Sequence, residues 1–161
     1  GWNFLGNINL AKKMILSAKK SGADLIKFQI WDPKNLKEGP WDNDGRREIY
    51  EKSFLNKTKY NKLNLFCKKN KIKCFASIFS ISDIDHYYSI TKDIVKIPSS
   101  ESHNINLIKK CIDKFNLVLL YVVELKENEL KKILFFIRNK KNVIPLHCVS
   151  AYPLAAEDFN Y

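Results

Sequence analysis

Five short apolar runs, separated by segments of helical periodicity, constrain this 161-residue chain more than any other feature. The runs fall at 23–30, 73–79, 94–97, 117–123 and 143–149, and they are rich in β-branched residues, as strands covered on both faces are. Between them, apolar positions recur at helical spacing over 9–21, 57–69, 105–115 and 128–139. Shorter helical stretches are expected at 48–52 and, capped by Ser82, through Ile84, Tyr87 and Tyr88. Strand, helix, strand at this spacing is the grammar of a parallel sheet with right-handed crossovers. An open doubly wound sheet and a (β/α)8 barrel both satisfy it. Polar residues mark the carboxyl end of nearly every strand: Lys27, Gln29, Ser77, Ser80, Lys96, Ser99, Glu101, His147 and Ser150. That distribution, with no Gly-rich phosphate loop, favours an α/β fold of the (β/α)8 TIM-barrel type, part of it present, with residues 1–161 as one partial barrel domain.

Two strands carry a central cation. Lys27 interrupts Leu25-Ile26-Lys27-Phe28-Gln29-Ile30, and Lys96 interrupts Ile94-Val95-Lys96-Ile97, which leads through Pro98 to Ser99, Ser100 and Glu101. An ammonium inside a sheet is costly unless it is paired or its charge is suppressed. Two such lysines with polar residues following suggest one small, multiply charged anion held between strands, phosphate being the commonest candidate. The alternative is that each lysine runs along its stem to solvent, or that the strands lie at an edge.

The formal charge of +11, from 28 Lys+Arg against 17 Asp+Glu, raises nucleic acid as a partner. The lysines are spread through the helices beside many Asn and Ile, the arginines are only Arg46, Arg47 and Arg138, and the runs at 68–71 and 139–142 fall at helix ends, where cations suit the dipole. No nucleic-acid or membrane partner is therefore expected. No apolar run approaches a membrane span and the first residues lack the layout of a signal peptide, which places the chain in the cytoplasm by default. Cys67, Cys74, Cys111 and Cys148 show no paired spacing and read as reduced core residues rather than a zinc site. The irregular stretch 31–47 contains Trp31, Trp41, Arg46 and Arg47; it either closes over a ligand or, more plainly, is pinned to the body by its two aromatics.

Several motifs together resemble the N-acetylneuraminate synthase family, the sialic-acid-type synthases that include the pseudaminic and legionaminic acid enzymes. They are Gly1-x-Asn3-x-x-Gly6, Ala11-Lys12, Gly22-Ala23-Asp24-Leu25-Ile26-Lys27-Phe28-Gln29, Ile94 through Glu101, and Leu146-His147-Cys148-Val149-Ser150-Ala151-Tyr152-Pro153. The resemblance implies a (β/α)8 barrel, with about strands 2 to 6 present, that condenses phosphoenolpyruvate with an N-acetylhexosamine to a nine-carbon 2-keto acid and phosphate. By the same resemblance Lys27, Ser77, Lys96 and Ser99 hold phosphoenolpyruvate, Gln29, Ser150 and Tyr152 lie beside the sugar, and Glu101 is the catalytic acid next to the phosphate-binding serine. A divalent metal, manganese or magnesium, is expected for the full-length family, with ligands outside this chain; His86, His103 and His147 are not those ligands. The family's full-length form is expected to be a homodimer.

The sequence departs from the family pattern at several positions. Phe4 stands where histidine is usual, Ser77 where threonine is usual, Ser150 where asparagine is usual, and Tyr121-Val122-Val123 where the family has Ser-Thr-Gly. The residues by themselves are expected to be inactive. A phosphate-binding barrel aldolase with a Schiff-base lysine, a non-catalytic barrel remnant and a basic RNA-associated protein are the competing readings.

Overall fold

The computed structural model describes residues 2–36, 38–122, 125–149 and 153–158. Among these, five strands alternate with six α-helices: α1 (Ile8–Lys20), β1 (Leu25–Ile30), α2 (Arg46–Ser53), α3 (Lys57–Lys69), β2 (Lys73–Ile78), α4 (Ile81–Tyr88), β3 (Ile94–Ile97), α5 (Ile105–Lys114), β4 (Leu117–Tyr121), α6 (Glu127–Ile137) and β5 (Val143–Leu146). The chain divides into two compact units, Gly1–Thr91 and Lys92–Tyr161.

In the first unit β1 and β2 run parallel, with Leu25 opposite Lys73 and Ile30 opposite Ile78. Their helix-facing side chains build a chain of aromatic contacts. Phe28 meets Phe4 at 6.2 Å and Tyr60 of α3 at 6.1 Å, and Tyr60 meets Tyr87 of α4 at 5.5 Å, all edge to face. Helix α1 adds buried Ala11 and Ile15, and its N-terminus is capped by Asn7, whose side chain accepts from the amides of Asn9 and Leu10. Gly6 makes this entry feasible: its φ is +73°, and a Cβ there would lie 1.9 Å from the carbonyl oxygen of Lys52.

In the second unit β3, β4 and β5 are parallel, with Lys96 opposite Leu119 and Tyr121 opposite Leu146. Val95, Ile97, Val118 and Leu120 are buried, as are Leu107, Ile108, Cys111 and Ile112 of α5. Asn142 ties the return of the chain by donating from Nδ2 to the carbonyls of Ile112 and Phe115, each at 2.9 Å. Both units are therefore α/β with parallel strands.

The details differ from expectation in places with physical causes. The cap of α4 is Ser80 rather than Ser82: the Ser80 hydroxyl accepts from the Asp83 amide and donates to the Asp83 carboxylate at 2.8 Å, whereas the Ser82 hydroxyl bonds to that of Ser80 and accepts from Asn35. Strand β4 stops at Tyr121 and β5 at Leu146, short of the apolar runs that suggested them, because the ladder ends where the Tyr121–Leu146 pair ends. The stretch 31–47 is braced from within: two 3-10 turns, Pro33–Asn35 and Pro40–Asp42, precede α2, and Trp31 packs on Tyr50 at 4.5 Å. For Trp31 the pinning account holds.

Candidate functional site

Alternation along a strand decides which side chains share a surface. Because Lys27 is opposite Phe75 and Gln29 opposite Ser77, these four project from one face of the β1–β2 pair. Ile26, Phe28, Cys74 and Ala76 project from the other, where Phe28 and Cys74 both meet Tyr60. Ser77 is 1% exposed and Gln29 half-buried. Lys27 keeps an exposed surface, yet the atoms around its ammonium are dense enough that desolvation lowers its pKa. Lys27 and Gln29 also line a cleft of about 290 Å³ with Phe4, Met14 and Ile26.

In the second unit Lys96 is half-buried, and its ammonium sits 4.7 Å from the centroid of the Tyr121 ring. Strand β3 passes through Pro98 into a 3-10 turn, Ser99–Glu101, whose carbonyl at Ser99 accepts from the buried Ser102 hydroxyl at 2.7 Å. Asn104 performs two tasks: its Oδ1 accepts from the Leu107 amide as the cap of α5, and its Nδ2 donates to Oε2 of Glu101 at 3.1 Å. The Glu101 carboxylate is thereby oriented at a helix N-terminus. Ser150 and Tyr152 lie outside the described residues.

Sequence reasoning picked out Lys27, Gln29 and Ser77, which share a face, and Lys96, Ser99 and Glu101, which end one strand. It missed Asn104, for which an Asn directly before Ile105, the first residue of α5, was an available signal, and the seating of Lys96 on Tyr121, which depends on strand register.

The arginines that open α2 pair with carboxylates of the loop before it. Arg46 pairs with Asp44, and Arg47 with Asp42, and these guanidinium hydrogen bonds hold both carboxyls below the usual range. Arg47 and Asp42 also line a second, more polar cleft with Glu38 and Asn43. All four cysteines are free thiols. Cys67 and Cys74 share a hydrogen bond that lowers the pKa of Cys74 and raises that of Cys67, and burial pushes Cys111 up to about 12. No group of three or more His, Cys, Asp or Glu among the described residues converges as a metal centre requires. No helix among them is long and apolar enough to cross a membrane.

Chemically, a strand lysine beside a buried hydroxyl in one unit, and a strand lysine followed by a serine and an oriented carboxylate in the other, are equipment for holding anionic oxygens and moving a proton.

The family model described as the NeuB family matches residues 14–161. A pseudaminic acid synthase of Campylobacter jejuni is 31% identical over 98% of the chain, and an N,N'-diacetyllegionaminic acid synthase of the same species is 28% identical over 99%. The chain spans about half the length of these relatives, 50% and 52% respectively. The crystal structure of an N-acetylneuraminic acid synthetase from Leptospira borgpetersenii, in complex with citrate, superposes with a TM-score of 0.86 at 29% identity, over 99% of this chain and 55% of that one. A DAHP synthase from Thermotoga maritima, 13% identical with a TM-score of 0.66 over 92% of this chain and 40% of that one, shares the fold alone.

Proposed function

The chain belongs to the NeuB family, and we propose that its strands form part of a (β/α)8 barrel that condenses phosphoenolpyruvate with an N-acetylated hexosamine to a nine-carbon 2-keto sugar acid. The observation that carries this reading is the common face of Lys27, Gln29 and Ser77 on the β1–β2 pair. The synthase named for its relatives and the citrate bound by the Leptospira protein, a small polycarboxylate, support it.

In the proposed reaction C3 of phosphoenolpyruvate forms a bond to the aldehyde carbon of the open-chain sugar, and the aldehyde oxygen takes a proton. Water adds at C2, the C2–O bond to phosphate breaks, and inorganic phosphate leaves. The family resemblance assigns Lys27 and Ser77, and likewise Lys96 and Ser99, to the anionic oxygens of phosphoenolpyruvate, which an ammonium and a hydroxyl are suited to hold. Gln29, Ser150 and Tyr152 are assigned to the sugar. Glu101, turned by Asn104, is the acid–base group at the aldehyde oxygen. Fixing both reactants in this way supplies the positioning part of the rate enhancement. The divalent cation implied by the resemblance is assigned no ligands among the described residues, and no step here depends on it.

A second reading, an aldolase with a Schiff-base lysine, is favoured by the lowered pKa of Lys27, which raises the share of neutral amine. Calorimetric titration with phosphoenolpyruvate and borohydride trapping with a carbonyl substrate separate the two. Binding that is lost in Lys27→Ala and in Lys96→Ala, with no covalent adduct, supports the synthase. Binding by Lys96→Ala equal to that of the parent, or an adduct at Lys27, overturns it.

A further inference from the structure

We propose that Tyr121 is a positioning residue for Lys96: its ring draws the ammonium towards the carboxyl ends of β3 and β4, and the affinity of Lys96 for an anion depends on that ring. This rests on the reading of Lys96 as a phosphoenolpyruvate-binding group.

The register shows the displacement. Lys96 is level with Leu119, whereas Tyr121 is two residues further along β4, about 7 Å at the usual strand rise. The ammonium nevertheless lies 4.7 Å from the Tyr121 ring centroid. The lysine stem therefore leans along the strand direction, and the charge arrives near the strand ends, where the chain turns through Ser99 to Glu101. The backbone that carries the ring is held in the ladder: Tyr121 pairs with Leu146, and the Val122 amide donates to the Leu146 carbonyl at 3.2 Å. A ring face stabilises a half-buried ammonium through its quadrupole without cancelling the charge. The ring acts on the ammonium as a π face and does not replace the hydrogen bonds an ammonium donates. An aliphatic side chain at 121 removes this attraction.

The test compares the full 161-residue chain with Tyr121→Phe and Tyr121→Leu, with circular dichroism to show that each is folded. Lysines dimethylated with carbon-13 report ring currents by NMR, and Lys96→Arg identifies the resonance of Lys96. An upfield-shifted Lys96 signal that survives Tyr121→Phe and is lost in Tyr121→Leu supports the contact. In calorimetry with phosphoenolpyruvate, Tyr121→Phe should bind within about twofold of the parent and Tyr121→Leu about fivefold or more weakly, a difference that vanishes on a Lys96→Ala background. Equal affinity of the Phe and Leu variants, or a Lys96 signal indifferent to the ring, overturns the proposal and leaves the proposed function standing. If the parent takes up no phosphoenolpyruvate, the proposed function and the anion-affinity part of this inference fall together, while the ring-current comparison still decides the contact.

Discussion

Gln29 and Ser77 stand opposite each other in register, each one residue short of the end of its strand. Neighbouring strands lie about 4.8 Å apart, so an amide and a hydroxyl from different strands face the same small volume. Lys27 shares that face one pleat back. Ser77 is buried, so a ligand that uses its hydroxyl must reach into the protein rather than meet it in bulk water.

This placement gives a test of the hydroxyl itself. Ser77→Thr keeps the donor and Ser77→Val replaces it with a methyl of nearly equal size, so both add the same bulk at a buried position. Phosphoenolpyruvate affinity should stay within about threefold for the threonine variant and fall about tenfold for the valine variant, as loss of one hydrogen bond to a charged group implies. Calorimetry beside thermal melts separates binding from folding. Equal losses in the two variants would remove Ser77 from the site.

Lys27 makes binding and stability depend on pH in opposite senses. Its folded pKa is below the ordinary lysine value because burial disfavours the ammonium. Between the two pKa values the unfolded chain binds more protons, so the Lys27 contribution makes stability rise with pH across that window. Over the same window the folded chain loses the charge an anion needs, so phosphoenolpyruvate affinity falls. Lys27→Arg keeps its charge throughout and should flatten both trends, while Lys27→Met should flatten the stability trend and weaken binding at every pH. Titration of affinity and urea midpoint from pH 7 to 10.5 reads both, and parallel profiles for the parent and Lys27→Arg would count against the assignment.

How much of this was legible beforehand depended on whether the signal was local. Helix α3 spans Lys57–Lys69, as its sequence suggests, since its apolar period and the Asn residues flanking it are local signals. The shared face of Lys27 and Gln29 followed from period two along one strand, and that of Ser77 needed only a parallel partner in register. Strand ends were less legible, because Val122 and Cys148 are as apolar as true strand residues and the ladder, not the composition, sets where pairing stops. The Ser80 cap was displaced in the reading by Ser82 because two hydroxyls within one turn offer the same pattern, and only Asp83 chooses between them. Tyr121 was noticed as a departure from a family pattern, but its contact with Lys96 is tertiary and has no signature in either segment.

Gly6 tests the junction between the first turn of the chain and the end of α2. An alanine there must adopt a left-handed φ and also place its Cβ within 1.9 Å of the Lys52 carbonyl oxygen, a backbone atom that cannot swing aside. Gly22 has the same handedness, φ +85°, with nothing within 4 Å of an added Cβ. Gly22→Ala should therefore cost about 1 kcal/mol, the conformational strain alone, and Gly6→Ala at least about 2 kcal/mol more. Urea midpoints at constant slope measure the difference; equal costs would mean the approach of Lys52 is not maintained.

Tyr87 is buried at the meeting of α4 with β2, and its phenolic oxygen accepts from the Ala76 amide at 3.1 Å. Ala76 is fully buried on the same helix-facing side as Phe28, so an amide deprived of that acceptor has no water to turn to. Tyr87→Phe preserves the ring and its edge-to-face contact with Tyr60, so the change isolates the hydroxyl. The expected cost is about 1–3 kcal/mol, the penalty for a buried donor left unpaired, and the Ala76 amide should exchange with solvent faster than its neighbours in β2. Tyr87→Leu removes the ring as well and should cost about 2 kcal/mol beyond the phenylalanine variant. A phenylalanine variant as stable as the parent, with Ala76 exchange unchanged, would show that the strand satisfies this amide by other means and that the hydroxyl contributes nothing to holding α4 on the sheet.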